Sequence, residues 1–208
     1  MKFLRKPFRY SFSNATFVLI AANLAVFFLT MLFPRLEIYL SLSLAGLVRR
    51  WFWQPVTYLF VHSGFSHILF NMIALFFFGF PVEKSLGTKE FLLFYFFCGI
   101  LDGIFSVFLY FFLGTNVFLM GASGAIYALL LAYAVIFPRS MIYIWGIIPV
   151  PSPLLVLIYG AISLFSQIMG GGGVAHLAHL MGFVLAWIYF LARMGINPVK
   201  VWKDAWKN

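Results

Sequence analysis

Apolar residues dominate this chain in long runs that end at charges, prolines and glycines, rather than alternating one by one with polar positions. Six runs approach the length, about 17–25 residues, that a helix needs to cross a hydrocarbon core. They cover approximately residues 14–33, 62–80, 90–113, 121–137, 151–168 and 174–192. Between the first two, residues 34–57 mix Arg35, Glu37, Arg49 and Arg50 with leucines, Trp51 and Trp53. That mixture predicts helix lying in the membrane interface rather than crossing it. The pattern thus predicts an all-α membrane protein, a six-helix bundle with an interfacial loop between spans 1 and 2. It reads as one domain over residues 1–208, with a basic N-terminus at 1–13 and a basic C-terminus at 193–208. No internal repeat is visible, and only residues 170–173, four glycines, are low in complexity.

Composition supports the pattern. Hydrophobic residues make up 64% and charged residues 9%, against about 45–50% apolar and about 25% charged in soluble domains. The opening MKFLRKPFRY is basic, but the apolar run after it is too long for a signal-peptide core and reads as a retained span. The formal charge of +9 is a matter of topology. With both termini inside, Lys2, Arg5, Lys6, Arg9, Lys84, Lys89, Arg139, Arg193, Lys200, Lys203 and Lys207 fall on the inner side. Only Arg35, Arg49 and Arg50 fall outside, so eleven against three predicts cytoplasmic termini and contact with anionic lipid, not nucleic acid. A cell membrane, of bacterial type, is the expected location. The single cysteine, Cys98, lies inside an apolar run and reads as a small core residue.

Polar side chains inside a bilayer are costly and need a reason. His67, Asn71, Ser123 and His179 fall at one level. At about 1.5 Å of rise per residue, His67 and His179 lie roughly 7 Å below the outer end of their spans, with Asn71 a turn deeper. Ser123, measured back from the end of span 4, falls about 9 Å below the outer surface of a core about 30 Å thick. Residues 114–120 must then dip into the membrane, which non-helical backbone does only where protein buries it or water lines it.

This is a set from which acyl-transfer chemistry can be assembled. Ser123 needs a base to become a nucleophile, and His179 is the candidate. The oxyanion needs donors, and Asn71, a ring N–H of His67 and the Ser123 backbone N–H are at that level. Gly121 and Gly124 bracket the serine, Gly182 offers a matching small surface on the last span, and Tyr127 is placed to pack on His179. No carboxylate lies near the outer layer of spans 4 or 6, so a dyad is expected. Taken singly, each residue also has a structural reading: a membrane serine often bonds its own backbone, and Gly-x-Ser-Gly is a common packing string.

Together the residues resemble the rhomboid family of intramembrane serine proteases. The matching strings are QPVTYLFVHSGFSHILFN at residues 54–71, PVEKSLG at 81–87, GASGAIYALL at 121–130 and AHLMG at 178–182. The resemblance implies that Ser123 is the nucleophile and His179 the base, with His67 and Asn71 in the oxyanion hole. It also implies Gly121 in the turn before the nucleophile, Tyr127 stacked on the histidine and His62 as a structural histidine. The substrates it implies are transmembrane segments of other proteins, entering beside span 5 under a cap formed here by residues 170–173; it calls for no cofactor or metal. His176 competes with His179, but the family's glycine three residues later is matched only by Gly182 after His179. Asp102, in the middle of span 3, has no part in this scheme. Two other readings stand beside it: a catalytically inactive rhomboid-like binding protein, and a haem-binding membrane protein using His62, His67, His176 and His179.

Overall fold

The computed structural model describes residues 8–144, 146–168 and 175–207, with the side chains of 166–168 and 175–178 outside the description. Helix α1 (Ala15–Leu32) is followed by three short helices, α2 (Arg35–Leu40), α3 (Leu44–Val48) and α4 (Gln54–Thr57), the last passing into a 3-10 turn at Tyr58–Phe60. Helix α5 (Phe65–Ala74) runs through a π-helical turn at Leu75–Gly79 into α6 (Phe80–Leu86). Then come α7 (Thr88–Phe112), α8 (Ser123–Ile136), a hairpin of β1 (Met141–Ile144) and β2 (Ile148–Pro151), α9 (Ser152–Ile168), α10 (Ala175–Tyr189) and α11 (Pro198–Ala205).

The result is an all-α membrane bundle built from the expected six apolar segments. Helix α1, the α5–α6 unit and α7, with 18, 22 and 25 residues, are long and apolar enough to cross a membrane. Helices α8 and α9 are shorter. The outward faces carry Phe28, Leu32, Phe70, Phe77 and Phe112 in the open, an exposure that water penalises and hydrocarbon does not. The polar and small residues turn inward instead. Helix α8 is the hub, with Gly124, Ala125, Ala128, Leu129, Ala132 and Ala134 all buried, and α7, α9 and α10 pack around it. Its alanines and glycine let neighbouring backbones come close, which is where dispersion between helices is gained in a lipid solvent.

Two features depart from the sequence reading. Strands β1 and β2 pair as a short antiparallel hairpin, with Met141 opposite Pro151 and Ile144 opposite Ile148; hydropathy does not distinguish these isoleucine- and valine-containing strands from the loop before span 5. The basic C-terminal segment is not featureless either. After α10 and its π turn at Phe190–Met194, the chain bends by 90° into α11, which Asn197 caps by accepting from the Val199 and Lys200 N–H groups at 3.0 and 3.3 Å.

Polar anchors hold the bundle at one end. Asn14 leaves the N-terminus of α1 without a side-chain cap, and Glu83 of α6 supplies one. Its carboxylate accepts from the N–H groups of Ala15 (2.7 Å) and Thr16 (2.8 Å) and from the hydroxyls of Thr16 (2.8 Å) and Thr88 (2.6 Å). Glu90, at the start of α7, accepts Arg193 in a two-pronged pair at 2.9 Å per bond, together with the Tyr189 hydroxyl.

The interfacial segment between α1 and α5 is tied down by Gln54, which is completely buried. Its amide accepts from Ser43 N–H at 3.2 Å and donates to the Ile38 and Tyr39 carbonyls at 3.3 and 3.2 Å. The Tyr39, Trp51 and Trp53 rings stack in sequence, with centroids 5.1 and 5.9 Å apart.

Candidate active site

Ser123 is the first residue of α8, in the position that the non-helical stretch before it decides. That stretch is held by backbone bonds to the interfacial segment. Leu42 and Leu119 exchange both N–H···O bonds, at 2.9 and 2.8 Å, and Gly121 N–H donates to the Tyr58 carbonyl at 2.9 Å. These bonds pair part of its backbone with protein, which is what irregular backbone at membrane depth requires. Gly121 takes φ +112°, open only to glycine, and turns the chain into the helix. No side chain caps α8, and its first helical bond is from Ile126 N–H to the Ala122 carbonyl at 2.9 Å. The N–H groups of its first turn, Ser123 among them, therefore face the site end of the helix.

His67 reaches this turn from α5. A methyl placed on Gly121 would lie 2.7 Å from His67 Nε2, so the imidazole touches the backbone two residues before Ser123. At the other nitrogen, Nδ1 lies 3.5 Å from the Ser63 backbone nitrogen and 3.1 Å from the Ser63 hydroxyl. His67 thus points its Nε2 edge at the Gly121 turn. His62 packs edge-on against it, centroids 4.9 Å apart, and is 3% exposed. Asn71 is buried one turn along α5 and spends one amide hydrogen on the His67 carbonyl at 2.8 Å. Its second amide hydrogen is the one that a ligand would use.

His179 stands on α10. Its ring lies flat on Tyr127, centroids 4.1 Å apart and planes within 7°. Tyr127 is one turn after Ser123 on α8, so the stack holds the imidazole on the serine's side of that helix. Tyr127 is in turn met edge-on by Tyr159 of α9 at 5.9 Å and at a tilt by Phe183 of α10 at 5.1 Å. The two helices approach closely because of a glycine pair. A methyl on Gly182 would overlap the Gly124 carbonyl oxygen and come within 3.3 Å of Tyr127 Cβ.

The structure thus gathers Ser123, Gly121, Gly124, Tyr127, His179, Gly182 and His67 at one place, with Asn71 and His62 adjoining. The His176 side chain and the glycines at 170–173, singled out for a cap, lie outside the described residues. Asp102 is a neighbour that the sequence reading left without a role: its carboxyl abuts Gly124. Only its improbable position in an apolar span pointed to it.

A model of the rhomboid domain matches residues 49–195, and the chain belongs to the rhomboid family. Among its relatives is the mitochondrial RHOMBOID-like protein 12 of Arabidopsis thaliana, 30% identical over 146 residues, covering 63% of this chain and 43% of that protein. Another is YdcA of Bacillus subtilis (strain 168), whose name assigns it provisionally to the rhomboid proteases. It is 35% identical over 94 residues, 42% of this chain and 43% of its own length. The chain spans less than half the length of each.

Proposed function

We propose that this rhomboid-family member is an intramembrane serine endopeptidase with Ser123 as nucleophile and His179 as general base. The observation that carries the reading is the His179 ring held flat on Tyr127, one turn from Ser123, across the Gly124–Gly182 contact. In the first step the Ser123 hydroxyl attacks the scissile carbonyl carbon while His179 takes its proton. The negative charge on the carbonyl oxygen is met by the Ser123 N–H, the free Asn71 amide hydrogen and the His67 Nε2–H, all fixed before reaction. Collapse of this intermediate expels the amine, which takes the proton from His179. Water then attacks the acyl-serine by the same route in reverse, with His179 again as base.

The substrates are transmembrane segments of other proteins, since only chain already in the bilayer can reach a serine at this level. The termini lie on the cytoplasmic side of a cell membrane, as the distribution of lysine and arginine favours. The dyad needs no metal and no cofactor for these steps.

Fluorophosphonate labelling of the detergent-solubilised protein tests the reading. Wild type should label, while Ser123→Ala and His179→Ala should not. Absence of labelling in a folded wild-type protein would refute the proposal and favour an inactive rhomboid-like binding protein.

A further inference from the structure

Asp102 is in the middle of α7 and 3% exposed, and its Oδ1 has no hydrogen-bond partner among the described residues. A carboxyl so placed costs stability that an apolar side chain of the same size would not. Its surroundings are specific all the same. A methyl on Gly124 would overlap Asp102 Oδ2 and lie 2.6 Å from Cγ and 3.3 Å from Cβ; the three nearest atoms all belong to this one side chain. On its other flank, the same glycine is met by α10. A methyl on Gly182 would overlap the Gly124 oxygen and lie 3.2 Å from its carbonyl carbon. The Gly124 peptide is therefore held between the Asp102 carboxyl and the α10 backbone.

Gly124 directly follows Ser123 in the chain, and Gly182 is one helical turn after His179. A change in thickness at Asp102 is passed through Gly124 to the separation of α8 and α10, the two helices that carry the dyad. Nearby on α7, Tyr58 lies on Gly103, with its hydroxyl donating to the Gly99 carbonyl, and Leu59 lies against Gly99. Gly99 also faces Ala125 of α8, where a methyl would lie 3.3 Å from its Cβ, whereas at Gly124 the α7 group met is the Asp102 carboxyl.

We propose that Asp102 is a positioning residue: its carboxyl braces the first turn of α8 from behind and sets where Ser123 stands relative to His179. The inference rests on the assignment of Ser123 as nucleophile. It acts by size and shape, so the isosteric amide should serve and a truncated side chain should not.

The test is the rate of Ser123 modification by a fluorophosphonate, resolved into kinact and Ki and referred to the folded fraction of each variant. Asp102→Asn should label at close to the wild-type rate. Asp102→Ala should lose about 10–100-fold in kinact with Ki unchanged, the scale of a small misplacement of reacting groups. Gly124→Ala should also lose labelling, and the double variant Asp102→Ala with Gly124→Ala should regain a large part of it, because the new methyl occupies the space the carboxyl leaves. Wild-type kinetics in folded Asp102→Ala would overturn the proposal. So would equal loss in Asp102→Asn, or a double variant no better than Gly124→Ala alone. A wild type that does not label at all refutes the nucleophile itself, a result separate from any of these.

Discussion

The imidazole of His179 and the ring of Tyr127 lie 4.1 Å apart and within 7° of parallel. Two flat faces in contact remove the ring's freedom to tilt and fix the plane in which its nitrogens lie. Tyr127→Phe keeps the face and should retain activity within about threefold of wild type, because stacking depends on the ring. Tyr127→Ala frees the imidazole and should cost about 10–100-fold in kcat. Steady-state cleavage of a transmembrane reporter substrate measures both.

Asn71→Ala removes an amide that is fixed by its bond to the His67 carbonyl, and cleavage should slow by about 10²–10³ without being abolished, as for loss of one oxyanion donor. An unchanged rate would remove Asn71 from the oxyanion hole.

Two glycines with positive φ offer a matched pair. Gly121 (φ +112°) faces His67, whereas Gly114 (φ +72°) has open space where a side chain would go. Gly114→Ala carries backbone strain of about 1–2 kcal/mol, and Gly121→Ala, at a φ well outside the left-handed helical region, carries more. Only Gly121→Ala should lose fluorophosphonate labelling, since only its methyl displaces the imidazole and the turn into Ser123.

Glu83 should matter for stability and not for chemistry. Replacing it by alanine strands the Ala15 and Thr16 N–H groups and two threonine hydroxyls away from water. Unfolding in detergent should become easier by at least about 2 kcal/mol, with the folded fraction as reactive as wild type. The measurement is a thermal or denaturant melt read alongside labelling.

The histidine assignment is separable by substitution. His179→Ala should abolish cleavage, and His176→Ala should leave at least partial activity. Equal, complete loss in both folded variants would contradict the choice of His179.

Much of this was legible in the chain. The apolar runs marked α1, α7, α8, α9 and α10 to within about three residues, because hydrocarbon imposes one simple demand on every residue of a span; the run at 62–80 stopped six residues short, because helix continues through the charged Glu83 and Lys84 to Leu86. The hairpin at Met141–Pro151 was missed for the same reason: in so apolar a chain, isoleucine and valine carry no contrast between strand and helix. The capping of α1 by Glu83 was also hidden. It joins residues 67 and 68 positions apart, and local capping rules look only at neighbours.

The sequence by itself determined that the chain belongs in a membrane and where its six apolar segments run, and it led to the expectation that Ser123, His67, Asn71 and His179 share a level; these follow from hydropathy and a fixed rise per residue. Only the tertiary structure decided which faces meet. It put Tyr127 on His179, His67 Nε2 against Gly121, and the Asp102 carboxyl behind Gly124. The reason is physical: depth along a helix is counted in residues, whereas rotation about its axis and distance from its neighbours are settled by packing, where single glycines choose which backbones touch.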